Sequence, residues 1–325
     1  FSVFGRKNLV GALLPHYERE VLLPHVLGRF EDLLLAVAKS PAMLVYLDNW
    51  SSTRPDVPRF VRRRLPGGGG INENYARELL ELHTLGIDGG YDQQDVVAAA
   101  RVFTGWTLES RRNPVFRFRA VLHDDGEKRV LGERTLGDGP EEGEHLLRRL
   151  ARHPATARHL ARKLCRRFVA DDPPPALVGR VAERYLETEG DLRAVVAALL
   201  LAPELADPRH RKLKTPFRLV ASAVRATGGS SDGRPASLLA LYRLGELPYG
   251  SRTPDGFPEE ASHWIDPGAM LERMTAAFLL AEGRVRGTKL GPVFPETVTR
   301  RPAVDGASFA EAQALALASP EFQWV

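Results

Sequence analysis

Apolar residues recur every three or four positions over most of this chain, with polar residues between them. That spacing places the apolar side chains on one face of an α-helix, and proline or a small polar residue often marks where the repeat starts. The pattern predicts helices over 17–23, 25–38, 41–48, 73–85, 92–103, 141–152, 154–169, 175–188, 191–201, 216–226, 235–244, 268–281 and 307–318.

One segment, Val115 to Val121, alternates apolar and basic residues with the period of a β-strand. Asp125-Gly126 is a favoured tight-turn pair, and Lys128 to Leu131 can return as the partner strand. We therefore predict a mainly α protein, a multi-helix bundle-like globular domain with one small β-hairpin at about 115–131. The 325 residues can form a single large domain, with a further division into 1–135 and 136–325 as the alternative.

Composition narrows the function classes only slightly. The single cysteine, Cys165, excludes an internal disulfide, and no apolar run reaches the roughly 18 residues that a membrane-spanning helix needs. The net charge of +4 comes from interleaved acids and bases, which tolerate anionic partners without requiring them. The chain also lacks a G-x-S-x-G elbow, a Walker A lysine loop and an H-E-x-x-H zinc helix.

The helix predicted after Asn72 carries an unusual set of polar side chains. Asn74, Glu78 and Glu81 are spaced i, i+4, i+7 and share a stripe, and Glu78 borders the apolar face. One interpretation is a solvated face on which Arg77 pairs with neighbouring glutamates for roughly 0.2–0.5 kcal/mol each. The other is a carboxylate and amide row, with Asn72, Asn74 and Arg77 facing a ligand and Glu78 facing a metal. Charge spacing alone favours the first interpretation.

His123-Asp124-Asp125 is a second candidate site. A histidine and two carboxylates beside a turn can bind a divalent cation, because imidazole suits Zn or Fe and carboxylate suits Mg or Mn. The alternative is that Asp-Gly at a hairpin tip needs no ligand to explain it.

Basic residues give a third set of candidates. The helix from Pro154 carries arginine and lysine over most of its surface, and Arg162 and Lys163 are the best candidates there for binding an anion. Lys214 precedes a helix that begins at Pro216, so its ammonium can reach an anion at that helix's N-terminus. The competing interpretation is that this is a surface helix, whose basic side chains pair with acidic residues of neighbouring elements.

Several long motifs resemble those of a bacterial family catalogued as domain of unknown function 1800. They are PAMLVYLDNWSS (41–52), NENYARELLELHTLG (72–86), FTGW (103–106), HDDGEKRVLG (123–132), HPATARHLARKLCRRFV (153–169), KTPFRLVASAVRATG (214–228) and ASPEFQWV (318–325). The resemblance spans essentially the whole chain and keeps the family's order.

This resemblance implies an α-rich fold and bacterial origin, but no established activity. It also implies a periplasmic or secreted protein, with any signal peptide upstream of Phe1. Members usually carry a histidine-rich segment upstream of the first motif, so we expect this chain to be N-terminally truncated. The family's Gly-Gln is Gly245-Glu246 here. Neighbouring genes often encode a protein that resembles sulfatases and alkaline phosphatases, which is therefore an expected partner.

Three hypotheses follow. The first is a metal-dependent enzyme, a hydrolase or oxidoreductase of the cell envelope or exterior, that binds a divalent transition metal. Its metal ligands would be Glu78, His123 and Asp124, and its catalytic carboxylates Glu78, Glu81 and Asp125. The second is a non-catalytic assembly partner of the sulfatase- or phosphatase-like protein. The third, a weak nucleic-acid binder, rests only on the basic helix and ranks low, because that helix lacks interleaved aromatic residues.

Overall fold

The computed structural model of this chain describes residues 1–58, 69–234, 237–293 and 308–325. These residues form fourteen α-helices and three antiparallel sheets of two short strands each. The predicted mainly α class is confirmed. Within the same residues, no helix combines the length and apolar character that crossing a membrane requires.

The described chain forms two compact units, and unit 1 comprises Phe1–Cys165, Pro174–Leu205 and Arg252–Gly256. Its helices are α1 Val10–His16, α2 Phe30–Lys39, α3 Pro41–Tyr46, α4 Glu73–Glu78, α5 Gln93–Val102, α6 Pro140–Ala151, α7 Pro154–Phe168 (up to Cys165), α8 Pro175–Glu187 and α9 Leu192–Leu200. Its strands are β1 Trp106–Leu108, β2 Phe116–Phe118, β3 Arg129–Val130 and β4 Glu133–Arg134.

Unit 2 comprises Arg166–Pro173, Ala206–Ser251 and Phe257–Val325. Its helices are α10 Pro216–Ala226, α11 Leu239–Arg243, α12 Pro267–Ala281, α13 Phe309–Ala318 and α14 Pro320–Gln323, and its strands are β5 Ser230–Ser231 and β6 Thr288–Lys289. Leu219, Leu280 and Phe322 belong to its buried apolar core. The division of the chain into 1–135 and 136–325 stays a prediction.

The predicted helix bounds agree best with the structure in the second half of the chain. Helices α6 to α10 and α12 begin and end within a residue or two of the predicted bounds. Residues 235–236 and 307, which belong to two predicted helices, lie outside the described residues. The helix predicted from His25 starts only at Phe30, because Arg29 is extended and the Phe30 amide donates to the carbonyl oxygen of Gly190.

The predicted hairpin over 115–131 is wrong in its pairing. Strand β2 pairs with the upstream strand β1, with Trp106 opposite Phe118, while β3 pairs with β4. The chain bends inward before the Asp125-Gly126 turn, because the His123 side chain is buried and Asp124 forms an ion pair with Arg101. Those contacts prevent 115–121 and 128–131 from lying side by side.

A row of aromatic rings holds the centre of unit 1 together. The rings of Tyr75, Phe103, Trp106 and Phe116 meet edge to face, with successive centroids 5.2, 5.2 and 5.1 Å apart. Edge-to-face pairs are worth about 0.5–1.5 kcal/mol beyond the area that they bury. The row therefore ties α4 and α5 to the β1–β2 sheet.

A buried carboxylate, Glu142 on α6, is the second organising feature of unit 1. It accepts hydrogen bonds from Lys128 Nζ at 2.6 Å and from Thr135 Oγ1, and His123 Nε2 lies 3.4 Å away. Burial alone would raise its pKa, but the donors His123, Lys128 and Thr135 hold the pKa of Glu142 below its ordinary value. Lys128 is itself only 3% exposed, so each charge depends on the other.

Replacing Glu142 by Gln is therefore expected to lower the free energy of unfolding by roughly 3–5 kcal/mol, because it leaves the Lys128 ammonium buried without a counter-charge. Urea denaturation measures the loss. The neighbouring exposed Glu141→Gln serves as the matched control and should change stability by less than about 1 kcal/mol. The double variant Lys128→Met, Glu142→Met should recover most of the loss. A Glu142→Gln protein as stable as the control would contradict the role of Glu142 as the counter-charge that stabilises buried Lys128.

Candidate functional site

The helix that carries the Asn-Glu motif changes its winding in the middle. It begins as α4 at Asn72, whose side chain accepts a hydrogen bond from the Asn74 amide at 2.9 Å, as an N-cap does. After Glu78 the backbone continues as a π-helix from Leu79 to His83. An uninterrupted α-helix over 73–85 was therefore a wrong prediction. π-Helical turns are rare and occur frequently at functional sites.

Two side chains of α7 bind the end of this π-turn. The Nε2 atom of His159 lies 3.1 Å from the carbonyl oxygen of Leu82, and Lys163 Nζ lies 3.4 Å from the same oxygen. A carbonyl oxygen only accepts, so Nε2 of His159 carries the proton. These contacts bring the basic helix up to the Asn-Glu helix inside unit 1.

Glu78 is half-buried beside two further carboxylates, Glu81 and Asp255. Burial raises the pKa of Glu78, the negative charges of Glu81 and Asp255 add to the rise, and Arg77 opposes it. In the described part of the chain Glu78 has neither a hydrogen bond nor an ion pair. Its carboxyl group is therefore free to hold or release a proton.

Tyrosines border these carboxylates on two sides. Burial, together with the charges of Glu78 and Asp255, raises the pKa of Tyr46 to about 12, and its hydroxyl donates to the carbonyl oxygen of Arg252 at 3.0 Å. Burial and the negative charges of Glu81 and Glu78 raise the pKa of Tyr91, while Arg77 opposes the rise. Both phenols stay protonated at neutral pH and can donate hydrogen bonds.

Basic groups complete the same region. Burial lowers the pKa of Lys163, while the negative charge of Asp255 opposes that effect. The Lys163 side chain is solvent-exposed, so its desolvation is only partial. His83 is buried, its Nε2 has no hydrogen-bond partner in the described residues, and burial holds its pKa well below 6.5.

We call Glu78, Glu81, His83, Lys163 and Asp255 the Glu78 cluster. Several of its members have pKa values displaced by burial and by each other's charges, and such displaced values concentrate at functional sites. Among the described residues, the cluster combines a carboxyl without a hydrogen bond, a buried imidazole whose Nε2 has no partner and a partly desolvated ammonium. Such a set can transfer protons and bind a negatively charged group.

Other polar residues of the same helix have structural partners. Arg77 forms an ion pair with Glu73 at 3.3 Å and donates to Gln93 at 2.8 Å, as the solvated-face interpretation predicts. The side-chain amides of Asn72 and Asn74 both donate to the carbonyl oxygen of Leu47, at 2.9 and 3.4 Å. The ligand-binding roles assigned to these three residues stay predictions.

The structure places His123 and Asp124 in contacts that already use their polar atoms. Nδ1 of His123 lies 2.8 Å from the Thr104 carbonyl oxygen, and Nε2 faces Glu142. Asp124 binds Arg101 through two contacts of 2.7 and 3.0 Å, and Asp125 is exposed. Across the described ranges, no three His, Cys, Asp or Glu residues are arranged to hold a metal ion. Glu78, His123 and Asp124 are thus not assembled as one ligand set, and their metal-binding role stays a prediction.

The remaining anion candidates lie in two different places. Arg162 is exposed and lines a small cavity of about 130 Å³ with Arg158 and the turn at Gly86. Lys214, in unit 2, is buried with its ammonium 3.7 Å from the centre of the Phe322 ring. Burial and the charge of Arg273 lower the pKa of Lys214 to about 8.

The N-terminus of α10, which Lys214 precedes, already has an anionic neighbour. Glu246 accepts a hydrogen bond from the Phe217 amide at 2.7 Å, so a carboxylate of the chain itself occupies the position predicted for a bound anion. Further along the basic helix, Arg166 and Arg167 pair with Glu260 and Glu259 in unit 2. These pairs are the ones that the surface-helix interpretation predicts.

Sequence reasoning missed His159, Asp255 and Tyr46 as members of this region. His159 stands in the same motif as Lys163, so its helical position gave a usable signal. Asp255 lies in the loop over 245–267, whose length is often a mark of function. Nothing local connects Tyr46 or Asp255 to Glu78, because the chain brings them together from far apart in sequence.

Glu78→Gln is expected to raise the free energy of unfolding at pH 7, by up to about 1 kcal/mol for a half-exposed charge. Because the folded-state pKa of Glu78 is raised, its protonated form favours folding, and that contribution is lost as pH rises above 4.5. The gain should therefore vanish near pH 4, which urea denaturation at both pH values can test. Glu20→Gln, an exposed change in a separate π-helix at Tyr17–Leu22, is the control. If Glu78→Gln clearly destabilises the protein at pH 7, the Glu78 carboxylate instead stabilises the fold through a contact with another group.

The comparisons with known proteins agree with the resemblance found in the motifs. No curated protein and no solved structure matches the chain. One family model matches residues 1–324, which include every element described above. The chain therefore belongs to the family described as protein of unknown function (DUF1800).

Proposed function

We propose that this protein is a hydrolase that uses the Glu78 cluster for acid–base catalysis on a substrate with a negatively charged group. The supporting observation is Glu78, a half-buried carboxyl with a raised pKa and no hydrogen bond or ion pair in the described residues. A raised pKa favours the protonated form of the carboxyl, which is the form that a general acid needs. The expected periplasmic or secreted location stays a prediction.

The environments of the cluster residues suggest a different role in the reaction for each of them. Protonated Glu78 donates its proton to the leaving-group oxygen, and Glu81 or Asp255 accepts a proton from the attacking water. Lys163 attracts the anionic group of the substrate, since its ammonium is partly desolvated and retains donors beyond its 3.4 Å contact with Leu82. Tyr91, which lies close enough to Glu81 for that carboxylate to raise its pKa, serves to orient Glu81.

A metal-dependent form of this enzyme stays a prediction, and none of these steps depends on it. A divalent transition metal at His123 and Asp124 would compete with Arg101, Thr104 and Glu142 for atoms that are already bound. Glu78 has no such competitor.

The proposal is tested with phenyl phosphate, phenyl sulfate and phenyl acetate, each with and without Mn²⁺ or Zn²⁺, because phenoxide needs a proton from the acid to leave. At least one ester should be hydrolysed, and Glu78→Gln should lower kcat at least about 100-fold, as loss of an acid–base group does. Lys163→Met should raise KM for the anionic esters more than for the acetate. Glu20→Gln should behave as the wild type.

Two results would overturn it. Hydrolysis that Glu78→Gln leaves at the level of Glu20→Gln excludes Glu78 as the acid. A wild-type protein that cleaves none of the three esters under any metal condition rejects the hydrolase assignment.

A second candidate function is the non-catalytic assembly partner of a sulfatase- or phosphatase-like protein. It is favoured by Leu23, Val26 and Leu27, three large apolar side chains within five residues that are 65%, 50% and 42% exposed. Clustered exposed apolar residues often mark protein contacts. An inactive ester panel, together with a complex that Leu23→Glu disrupts, would favour this function over the first.

A further inference from the structure

Unit 2 contains a cavity of about 430 Å³ that the proposed function does not use. It lies between α11 and α12, beside the turn at 284–286. Its apolar lining includes Leu239, Ala276, Leu279 and Val285. A volume of this size is within the range of small-molecule sites, and an apolar lining of this kind is typical of them.

The charged residues of the same cavity are mainly basic. Arg243, Arg284 and Arg286 line it together with one acid, Glu272. Arg284 forms an ion pair with Glu282 at 3.2 Å. Arg243 and Arg286 have no ion pair or hydrogen bond within the described ranges.

Single unpaired arginines on a surface need no ligand, because water solvates them. Here two unpaired guanidinium groups belong to one apolar cavity from separate segments, α11 and the 284–286 turn. The planar guanidinium matches the geometry of a carboxylate or phosphate and is weakly hydrated, so it suits such a position. An ammonium ligand would meet net repulsion from the same arginines.

We propose that this cavity binds an amphipathic organic anion. Its apolar body contacts Leu239, Leu279 and Val285, and its carboxylate or phosphate group is held by Arg243 and Arg286. The site is independent of the Glu78 cluster, because all of its lining residues belong to unit 2.

Isothermal titration with octanoate and octyl phosphate, below their micelle concentrations, tests the proposal and separates the two head groups. Octyltrimethylammonium, with the same chain and the opposite charge, is the ligand control. The wild type should bind at least one of the two anions saturably at one site, and the cation at least about tenfold more weakly.

The variants separate the charged and apolar parts of the site. Arg243→Gln and Arg286→Gln should each weaken anion binding at least about fivefold. Thr275→Trp fills the cavity from an exposed position and should abolish binding. Arg193→Gln, an equal charge change on the exposed surface of α9, should leave binding unchanged.

The proposal is overturned if neither anion binds, or if the ammonium ligand binds as tightly as the anions. It is also overturned if binding survives Thr275→Trp and both arginine changes. Thermal melting of each variant shows that it is folded, and all of the changed side chains are exposed.

Discussion

A helix that widens from α to π winding presents its last carbonyl oxygens differently from a regular helix, and the candidate site depends on that change. At Leu79–His83 the wider turn directs the Leu82 carbonyl towards His159 and Lys163, which both bind it. Those two contacts fix the basic helix beside Glu78. Burial also lowers the pKa of Lys163, and the negative charge of Asp255 opposes that effect.

Two carboxylates of unit 1, the buried Glu142 and the half-buried Glu78, are in opposite electrostatic states. Glu142 has hydrogen-bond donors on its oxygens, and its pKa is lowered, so it acts as a permanent anion that holds Lys128 and Thr135 in place. Glu78 has no such donors in the part of the chain that the structure describes, and its pKa is raised. A satisfied carboxylate contributes to the fold, whereas an unsatisfied one costs stability and is available for chemistry. The contrast is the main reason for placing function at Glu78.

The sequence predicts most of the local structure and only part of the site. The helix starts after Asn72 and at Asp92 and the apolar repeats of α6 to α10 depend on nearby residues, so they were correctly predicted. The π-turn was not predicted, because the apolar repeat over 73–85 is also that of a regular α-helix. The pairing of β2 with β1 and the approach of Asp255 to Glu78 depend likewise on the folded chain. Glu78 itself was identified because it borders the apolar face of its helix.

The most direct test of the central claim is an NMR titration of the Glu78 carboxyl carbon in uniformly ¹³C-labelled protein, assigned with Glu78→Gln. The account predicts that Glu78 titrates at a pH above the ordinary glutamate value of 4.5, because it is desolvated and lies beside Glu81 and Asp255. Titration at or below that value would show that Glu78 has donors or a counter-charge of its own. The carboxyl would then be a structural anion like Glu142, and the catalytic role proposed for the Glu78 cluster would be rejected.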